Sequence, residues 1–274
     1  MNQWILTPNQ AKQLISQSAT IIDTRNKLAW FLGHIPDAVH VTWQEFSQPE
    51  KPHQGNLLKD ENLLQQKLRK LGISNSKPVI VIGNPAHNFG EEGRIVWMLR
   101  TLGHNSAAFV DGGYNALVKA GIQTTFAGNQ PQKIGDFVVN RTALWEIQRD
   151  ELKANLAENK LIVIDTREKR EYNGATPYGE KRGGHIPGAV HFYFKDLIDN
   201  KGNLLPTEEI ITKLARLGIQ LDTPIATYCT GGIRSAFFVS VLANLGLTNI
   251  KNYAGSMWEW SAEGANSYPL QENL

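Results

Sequence analysis

The chain has 274 residues, 41% of them hydrophobic, so it can bury the core of one large or two ordinary domains. Its 28 basic and 26 acidic residues leave a net charge of +2, and without a dense stripe of lysine or arginine we expect no nucleic-acid partner. The apolar runs are strand-sized and the N-terminus lacks a basic segment followed by an apolar stretch, so we expect a cytoplasmic protein with no membrane partner. The single cysteine, Cys229, excludes an intrachain disulfide and a multi-cysteine metal site.

The two halves of the sequence repeat one design. The matching blocks, in the same order in each half, are Ile21–Arg25 with Val163–Arg167, Gly33–His40 with Gly184–His191, and Leu71–Ile80 with Leu217–Ala226. A stretch containing several glycines and a proline, without strong periodicity, separates the halves. We therefore predict an N-terminal module over residues 1–125, a linker over 126–140 and a C-terminal module over 141–274.

Each module is predicted to be α/β. Short runs rich in valine and isoleucine alternate with helical patterns, which is typical of a parallel sheet flanked by helices. In the second module, residues 207–217 have helical spacing and end at Gly218, residues 224–228 form a predicted buried strand, and a helix is predicted over 233–245. Cys229 therefore lies at the carboxyl end of a strand, where open α/β sheets bind ligands.

The segment after this strand, Cys229–Ser235, combines a thiol with two glycines and the start of a helix. Gly231 and Gly232 allow the backbone to curl so that its N–H groups point toward the cysteine, where the positive end of the helix dipole adds to them. This environment predicts a thiolate at Cys229 at neutral pH and nucleophilic attack on an anionic donor. The other interpretation is a buried cysteine followed by an ordinary turn, but the order strand, Gly-Gly, Arg and helix favours the catalytic one.

Further motifs accompany the cysteine loop. Each half has Asp-Thr-Arg at a predicted strand end and a Gly-His-Ile-Pro-x-Ala-Val motif, and the second half adds Gly255–Trp260. With these motifs the whole chain resembles a tandem-domain rhodanese, a sulfurtransferase family that includes thiosulfate and 3-mercaptopyruvate sulfurtransferases. The resemblance implies that the C-terminal module is catalytic and the N-terminal module is not. In agreement, Gly83 aligns with Cys229 and is followed by a longer loop.

The resemblance implies a two-step sulfur transfer that needs no metal or organic cofactor. Cys229 would attack the sulfane sulfur of a small anionic donor, become a persulfide and pass that sulfur to cyanide, a thiol or an acceptor protein. The loop residues implied to bind the donor are Thr230, Gly231, Gly232, Ile233 and Arg234. Asp165 matches an aspartate near the family's active-site loop, although an Asp-x-Arg at a strand end also often orders a turn.

The loop sequence leaves the donor open. Residues 230–232, Thr-Gly-Gly, fit neither the Arg-Lys pair that thiosulfate-specific members commonly have after the cysteine nor the Gly-Ser-Gly or Gly-Ala-Gly of the mercaptopyruvate members. Glu171 stands where the family often has a donor-binding arginine. The basic residues that could replace that arginine are Arg170 and, in an insertion at 173–183, Lys181 and Arg182; equally, these could form a solvated basic loop. We expect slow turnover of thiosulfate, with 3-mercaptopyruvate as the alternative donor.

Two other functions compete with sulfur transfer. Dual-specificity phosphatases of the same fold hold phosphate in a Cys-x5-Arg loop, whereas this chain has Cys-x4-Arg, a tighter ring that fits a sulfur atom better than a phosphoryl group. A phosphatase or arsenate-reductase-like activity is therefore disfavoured. A non-catalytic binding module is disfavoured by the intact Cys229. His34 and His185 occur in both halves, so we interpret them as architectural rather than as general bases.

Overall fold

Each half of the duplicated sequence builds a parallel sheet, in a computed structural model that describes residues 3–128 and 133–272. The chain divides into two compact units: unit 1 comprises Met1–Phe46, Leu58–Thr142 and Ile198–Leu204, and unit 2 comprises Ser47–Leu57, Ala143–Leu197 and Leu205–Leu274. The predicted boundaries place residues 47–57 in the N-terminal module and residues 198–204 in the C-terminal module. In the structure, residues 47–57 belong to unit 2 and residues 198–204 to unit 1. Residues 129–132 of the predicted linker lie outside the described residues.

Unit 1 contains a five-stranded parallel sheet in the order β1-β5-β4-β2-β3. Its strands are β1 (Ile5–Leu6), β2 (Thr20–Asp23), β3 (Val39–His40), β4 (Val79–Ile82) and β5 (Ala107–Val110). Its helices are α1 (Pro8–Ser16), α2 (Lys27–Phe31), α3 (Glu61–Lys70), α4 (Glu91–Thr101) and α5 (Gly113–Lys119), with a 3-10 turn at Trp43–Phe46. All four residues of β4 are buried, as expected for a central strand covered on both faces.

Unit 2 contains a four-stranded parallel sheet in the order β7-β6-β8-β9. Its strands are β6 (Ile162–Asp165), β7 (Val190–His191), β8 (Ile225–Tyr228) and β9 (Ile250–Asn252). Its helices are α6 (Arg149–Ala157), α7 (Lys169–Tyr172), α8 (Thr207–Ala215), α9 (Ile233–Asn244) and α10 (Ser256–Trp260), with a 3-10 turn at Phe194–Leu197. Asp165 pairs in register with Tyr228, so the ends of β6 and β8 meet at one edge of the sheet.

The predicted elements around the cysteine are confirmed to within two residues. The helix predicted over 207–217 is α8, the strand predicted over 224–228 is β8, and the helix predicted over 233–245 is α9. Gly218 has a φ of 75°, the left-handed backbone that lets the chain leave a helix. The predicted α/β class with parallel sheets and flanking helices is therefore confirmed for both units.

Helix α9 is buried along most of its length, from Ile233 to Leu242. A helix that is apolar on nearly every side lies inside the packed layers rather than on the surface. Its N-terminus, which follows the cysteine loop, is therefore held by the core. Within the described ranges, none of the helices combines the length and the apolar character that crossing a bilayer requires.

Candidate active site

Strand β8 places Cys229 at its carboxyl end, where the chain turns into α9. The thiol is unpaired and its residue is 1% exposed. Gly232 has a φ of 81° and precedes the first residue of α9, so it makes the turn that a side chain would disfavour. Gly231 serves a different purpose, because a Cβ there would overlap the ring of Trp258. Gly232 therefore provides the left-handed backbone conformation, and Gly231 allows the Trp258 ring to pack closely against the loop.

The carbonyl groups of the loop are bound from outside, and this orients its amides. Met257 N–H donates to the Cys229 carbonyl at 3.2 Å, and Trp258 N–H donates to the Thr230 carbonyl at 2.9 Å. The side-chain amide of Asn252 donates to the Gly232 carbonyl at 3.1 Å. With these carbonyls occupied, the loop can direct N–H groups toward the sulfur, as a nest for negative charge requires.

Hydrogen-bond donors surround the sulfur. Gly232 N–H lies 3.1 Å from Cys229 Sγ and the Ser235 hydroxyl lies 3.6 Å from it. Burial opposes ionisation of the thiol, but the charge of Arg234 and hydrogen bonds from Ser235 and from the Gly231 amide outweigh it, so the pKa of Cys229 lies below its ordinary value. The direction agrees with the thiolate that the sequence predicts.

Arg234 is held by a buried carboxylate. Its Nη1 donates to Glu171 Oε2 at 2.6 Å and its Nη2 to Glu171 Oε1 at 2.8 Å, and Nη2 also lies 2.7 Å from the Thr230 hydroxyl. Arg234 is 3% exposed and Glu171 is 0% exposed. This bidentate ion pair connects α7 to the start of α9. Contact between Arg234 and a sulfur donor remains a prediction. In the structure, the guanidinium of Arg234 already forms an ion pair with Glu171.

The insertion at 173–183 brings a second carboxylate to the loop. Thr230 Oγ1 lies 2.9 Å from Glu171 Oε1 and 3.0 Å from Glu180 Oε1. Glu180 is buried, and its other oxygen accepts a hydrogen bond from Tyr178 N–H at 3.0 Å. The Trp258 indole donates to the Tyr178 carbonyl at 3.0 Å. Part of the insertion therefore packs on the cysteine loop.

The other predicted site residues make contacts that stabilise turns and segments. Asp165 accepts the Arg167 side chain at 2.6 Å and the Arg167 backbone N–H at 3.0 Å. Arg170 is largely exposed and pairs with Glu168 at 2.7 Å. Arg182 donates to three backbone carbonyls of the C-terminal segment at 2.8 to 3.2 Å. Their predicted roles in donor binding remain predictions.

The same turn recurs in unit 1, where Arg25 donates to Asp23 at 2.7 Å. In both units the arginine also donates to a glycine carbonyl, Gly33 or Gly184, at 2.8 Å. An arrangement present in both units favours the turn-ordering interpretation of Asp165.

The two histidines of the repeated motif are also packed alike. His34 Nδ1 lies 3.1 Å from the Trp30 carbonyl, and its ring stacks on that indole with centroids 4.0 Å apart. His185 Nδ1 lies 2.9 Å from the Tyr172 carbonyl, and its ring stacks on that phenol at 3.7 Å. Matching contacts in both units support their architectural interpretation.

Several residues of the site were missed by the sequence analysis. The Ser256 hydroxyl accepts a hydrogen bond from Cys229 N–H at 3.1 Å. His53 lies 2.9 Å from Glu259, and a Cβ at Gly55 would lie 2.8 Å from the Gly231 carbonyl, so the segment 47–57 borders the loop within unit 2. Ser235 could have been found, because the first turn of the helix after the loop faces the cysteine. The segment 47–57 carried no such local signal.

Two stretches of the chain match the family model described as a rhodanese-like domain: residues 7–120 and residues 148–263. The chain belongs to the rhodanese family. The matched ranges correspond to the two repeats found in the sequence, so the predicted tandem organisation of rhodanese-like domains is confirmed.

Named relatives extend this assignment. The chain is 28% identical over 254 residues to the mitochondrial thiosulfate/3-mercaptopyruvate sulfurtransferase 1 of Arabidopsis thaliana, covering 85% of this chain and 66% of that enzyme. It is 30% identical over 238 residues to the 3-mercaptopyruvate sulfurtransferase of Escherichia coli K12, covering 84% and 81%. The chain thus spans about two thirds of the first relative and most of the second. Relatives of this kind support sulfurtransferase activity without distinguishing the donor.

A solved structure shares the fold. The anaerobic ergothioneine biosynthesis enzyme from Chlorobium limicola, in complex with trimethyl histidine, superposes with a TM-score of 0.84 at 21% identity, covering 99% of this chain and 70% of that one. At this identity the likeness shows the architecture alone.

The corresponding loop of unit 1 differs from the Cys229 loop in charge and in lacking a thiol. Helix α4 follows Gly90, whose φ of 83° matches that of Gly232 before α9. The second residue of each helix is then Glu92 in unit 1 and Arg234 in unit 2. Glu92 is buried, and a Cβ at Gly83 would overlap its side chain. A carboxylate thus occupies the region where unit 2 has its thiol and guanidinium.

Substitution Gly83→Cys is expected to create no second sulfur-accepting site and to destabilise unit 1 by about 1 to 3 kcal/mol, because the new side chain competes with Glu92 for space. The measurement is best made in a Cys229→Ser background, with intact mass after incubation with thiosulfate and a denaturant melt. Gly83→Ala is the matched control, since it adds the same Cβ without a thiol. A persulfide at position 83 would contradict the expectation.

Proposed function

We propose that this chain is a sulfurtransferase that moves sulfane sulfur from a small anionic donor through a persulfide on Cys229 to cyanide or a thiol. Thiosulfate is favoured over 3-mercaptopyruvate as the donor. The observation that carries the proposal is the buried, unpaired thiol of Cys229, placed at the end of β8 with Gly232 N–H 3.1 Å and Ser235 Oγ 3.6 Å from its sulfur.

In the first step the Cys229 thiolate attacks the outer sulfur of thiosulfate. The bond between the two donor sulfurs breaks, its electron pair leaves on sulfite, and Cys229 holds the persulfide. Negative charge is present on the sulfur before and after this step. The amide of Gly232 and the start of α9 stabilise that charge without rearranging, because the loop carbonyls are already bound from outside.

In the second step the acceptor attacks the outer sulfur of the persulfide. With cyanide as acceptor, the sulfur–sulfur bond breaks, thiocyanate leaves, and the electron pair returns to Cys229 as a thiolate. With a thiol as acceptor, including one carried by an acceptor protein, the product is a persulfide of that thiol. Both routes balance without a metal or an organic cofactor.

The names of the relatives support both donors, so the choice between them needs a direct comparison. 3-Mercaptopyruvate must give up a sulfur that is bonded to carbon, and the departing enolate needs a proton. Thiosulfate needs only the cleavage of a sulfur–sulfur bond beside fixed hydrogen-bond donors, which this loop provides. A cytoplasmic location and the absence of nucleic-acid and membrane partners remain part of the proposal.

The test is steady-state sulfur transfer with each donor in parallel, at fixed cyanide, on the full chain. We expect a higher kcat/KM for thiosulfate than for 3-mercaptopyruvate, with Cys229→Ser as the control for uncatalysed transfer. Intact mass after donor alone should show one added sulfur on the protein. A higher kcat/KM for 3-mercaptopyruvate would overturn the choice of donor, and transfer from neither would overturn the proposed function.

A further inference from the structure

The charges beside Cys229 do not add up to a strongly positive site. Arg234 is the guanidinium that lowers the pKa of Cys229, and it is bound by both oxygens of Glu171 at 2.6 and 2.8 Å. One thiolate, one guanidinium and one carboxylate leave a net negative charge before any donor arrives. Glu180, 3.0 Å from Thr230 Oγ1, lies on the same side of the loop. Arg170 is largely exposed and its charge is offset by Glu168.

Glu171 is fixed in this position by more than Arg234. Its Oε2 also accepts a hydrogen bond from Glu168 N–H at 3.2 Å, which closes the first turn of α7, and its Oε1 lies 2.9 Å from the Thr230 hydroxyl. The residue is fully buried, so solvent screens its charge weakly. The carboxylate therefore cannot turn away to leave Arg234 free for a donor.

We propose that Glu171 is a specificity-determining residue that makes this site prefer monoanionic sulfane donors, such as thiosulfonates and organic persulfides, over dianionic thiosulfate. The inference rests on the proposed function and narrows its donor class. A second negative charge on the donor is repelled by Glu171. Arg234 compensates only part of that repulsion, because its guanidinium is already paired with Glu171. Thiosulfate is then a slow substrate of the site.

The chemistry is the same for both classes of donor. With methanethiosulfonate, the Cys229 thiolate attacks the terminal sulfur, the sulfur–sulfur bond breaks and methanesulfinate leaves with the electron pair. Methanethiosulfonate differs from thiosulfate in that a methyl group replaces one charged oxygen. The two donors therefore form a matched pair that differs mainly in charge and leaving group.

The test compares this pair of donors on the wild type and on Glu171→Gln, with Glu208→Gln, an exposed carboxylate of α8, as the control. The preference for methanethiosulfonate over thiosulfate, as a ratio of kcat/KM values, should fall about tenfold in Glu171→Gln, the size expected for one weakly screened charge. In Glu208→Gln it should change less than twofold. An unchanged ratio in a folded Glu171→Gln variant would overturn the proposal.

A second measurement is independent of sulfur transfer. Iodoacetamide and iodoacetate alkylate the same thiol but carry charges of zero and minus one. The ratio of their rates should shift toward iodoacetate in Glu171→Gln, even if no donor is turned over. If this ratio shifts but no sulfur is transferred, the proposed function is refuted and the electrostatic role of Glu171 is supported. If sulfur is transferred but the ratio does not shift, the proposed function is supported and the role of Glu171 is refuted.

The wild type alone provides a test that does not depend on the folding of a variant. Its kcat/KM should be higher for methanethiosulfonate than for thiosulfate at both low and high ionic strength, because salt screens the buried charge of Glu171 only weakly. A higher kcat/KM for thiosulfate would overturn the proposal.

Discussion

Replacing Cys229 with serine is expected to lower sulfur transfer by at least about a thousandfold and to leave the fold intact. A serine hydroxyl is not ionised at neutral pH, and it cannot form a persulfide. Cys229 is the only thiol in the chain, so no neighbouring residue can take over. The Gly232 amide and the Ser235 hydroxyl can still donate to an oxygen at this position, so we expect a stability change below about 1 kcal/mol.

Thiocyanate formation from thiosulfate and cyanide measures the loss of activity, and intact mass after incubation with donor measures the loss of the persulfide. Cys229→Ala serves as a second variant that removes every polar atom from the side chain. The two variants should be equally inactive. Appreciable turnover in purified Cys229→Ser would show that the persulfide is not on the reaction path.

Replacing Arg234 with methionine is expected to destabilise unit 2 by about 3 to 5 kcal/mol, because it leaves Glu171 buried without its partner. The same change removes the positive charge that lowers the pKa of Cys229, so that pKa should rise. Alkylation by iodoacetamide at neutral pH should then slow, and its midpoint should move to higher pH. Sulfur transfer should fall with the alkylation rate.

A double variant separates these two roles of Arg234. Replacing Glu171 and Arg234 together with methionine removes both buried charges, so most of the lost stability should return. Thiol reactivity should not return, because the charge beside the sulfur is still missing. A single Arg234→Met variant as stable as the wild type would contradict the buried ion pair. A raised KM for thiosulfate with an unchanged alkylation rate would instead assign Arg234 to donor binding.

The two modules share one fold but differ in the side chains that follow the central strand. Both place a loop between a buried strand and a buried helix that begins after a left-handed glycine, Gly90 or Gly232. In unit 2 the second residue of that helix is Arg234, beside a thiol. In unit 1 it is Glu92, and its side chain occupies the space beside Gly83. The two loops therefore differ at these two side-chain positions, Gly83 against Cys229 and Glu92 against Arg234, and in length.

The duplication, the α/β class and the position of Cys229 at the end of a buried strand follow from the sequence alone. Strand β8 and helix α9 follow from patterns within a few residues, because a short apolar run favours a buried strand, a longer one favours a buried helix, and glycine permits the turn between them. The Asp165–Arg167 contact is also local, since the two residues are two positions apart. Such features depend on the backbone near each residue, which the neighbouring sequence largely sets.

Which side chains share the site with Cys229 depends on the packing of the folded chain. Arg234 could be recognised as a charge near the thiol, but its partner Glu171 lies 63 positions away, and Glu180 reaches Thr230 across 50. The segment 47–57 comes from the other sequence repeat and still belongs to unit 2. Partners of this kind depend on how α7, the insertion and α9 pack together. Because many carboxylates in the chain could satisfy the same arginine, only three-dimensional packing selects one of them.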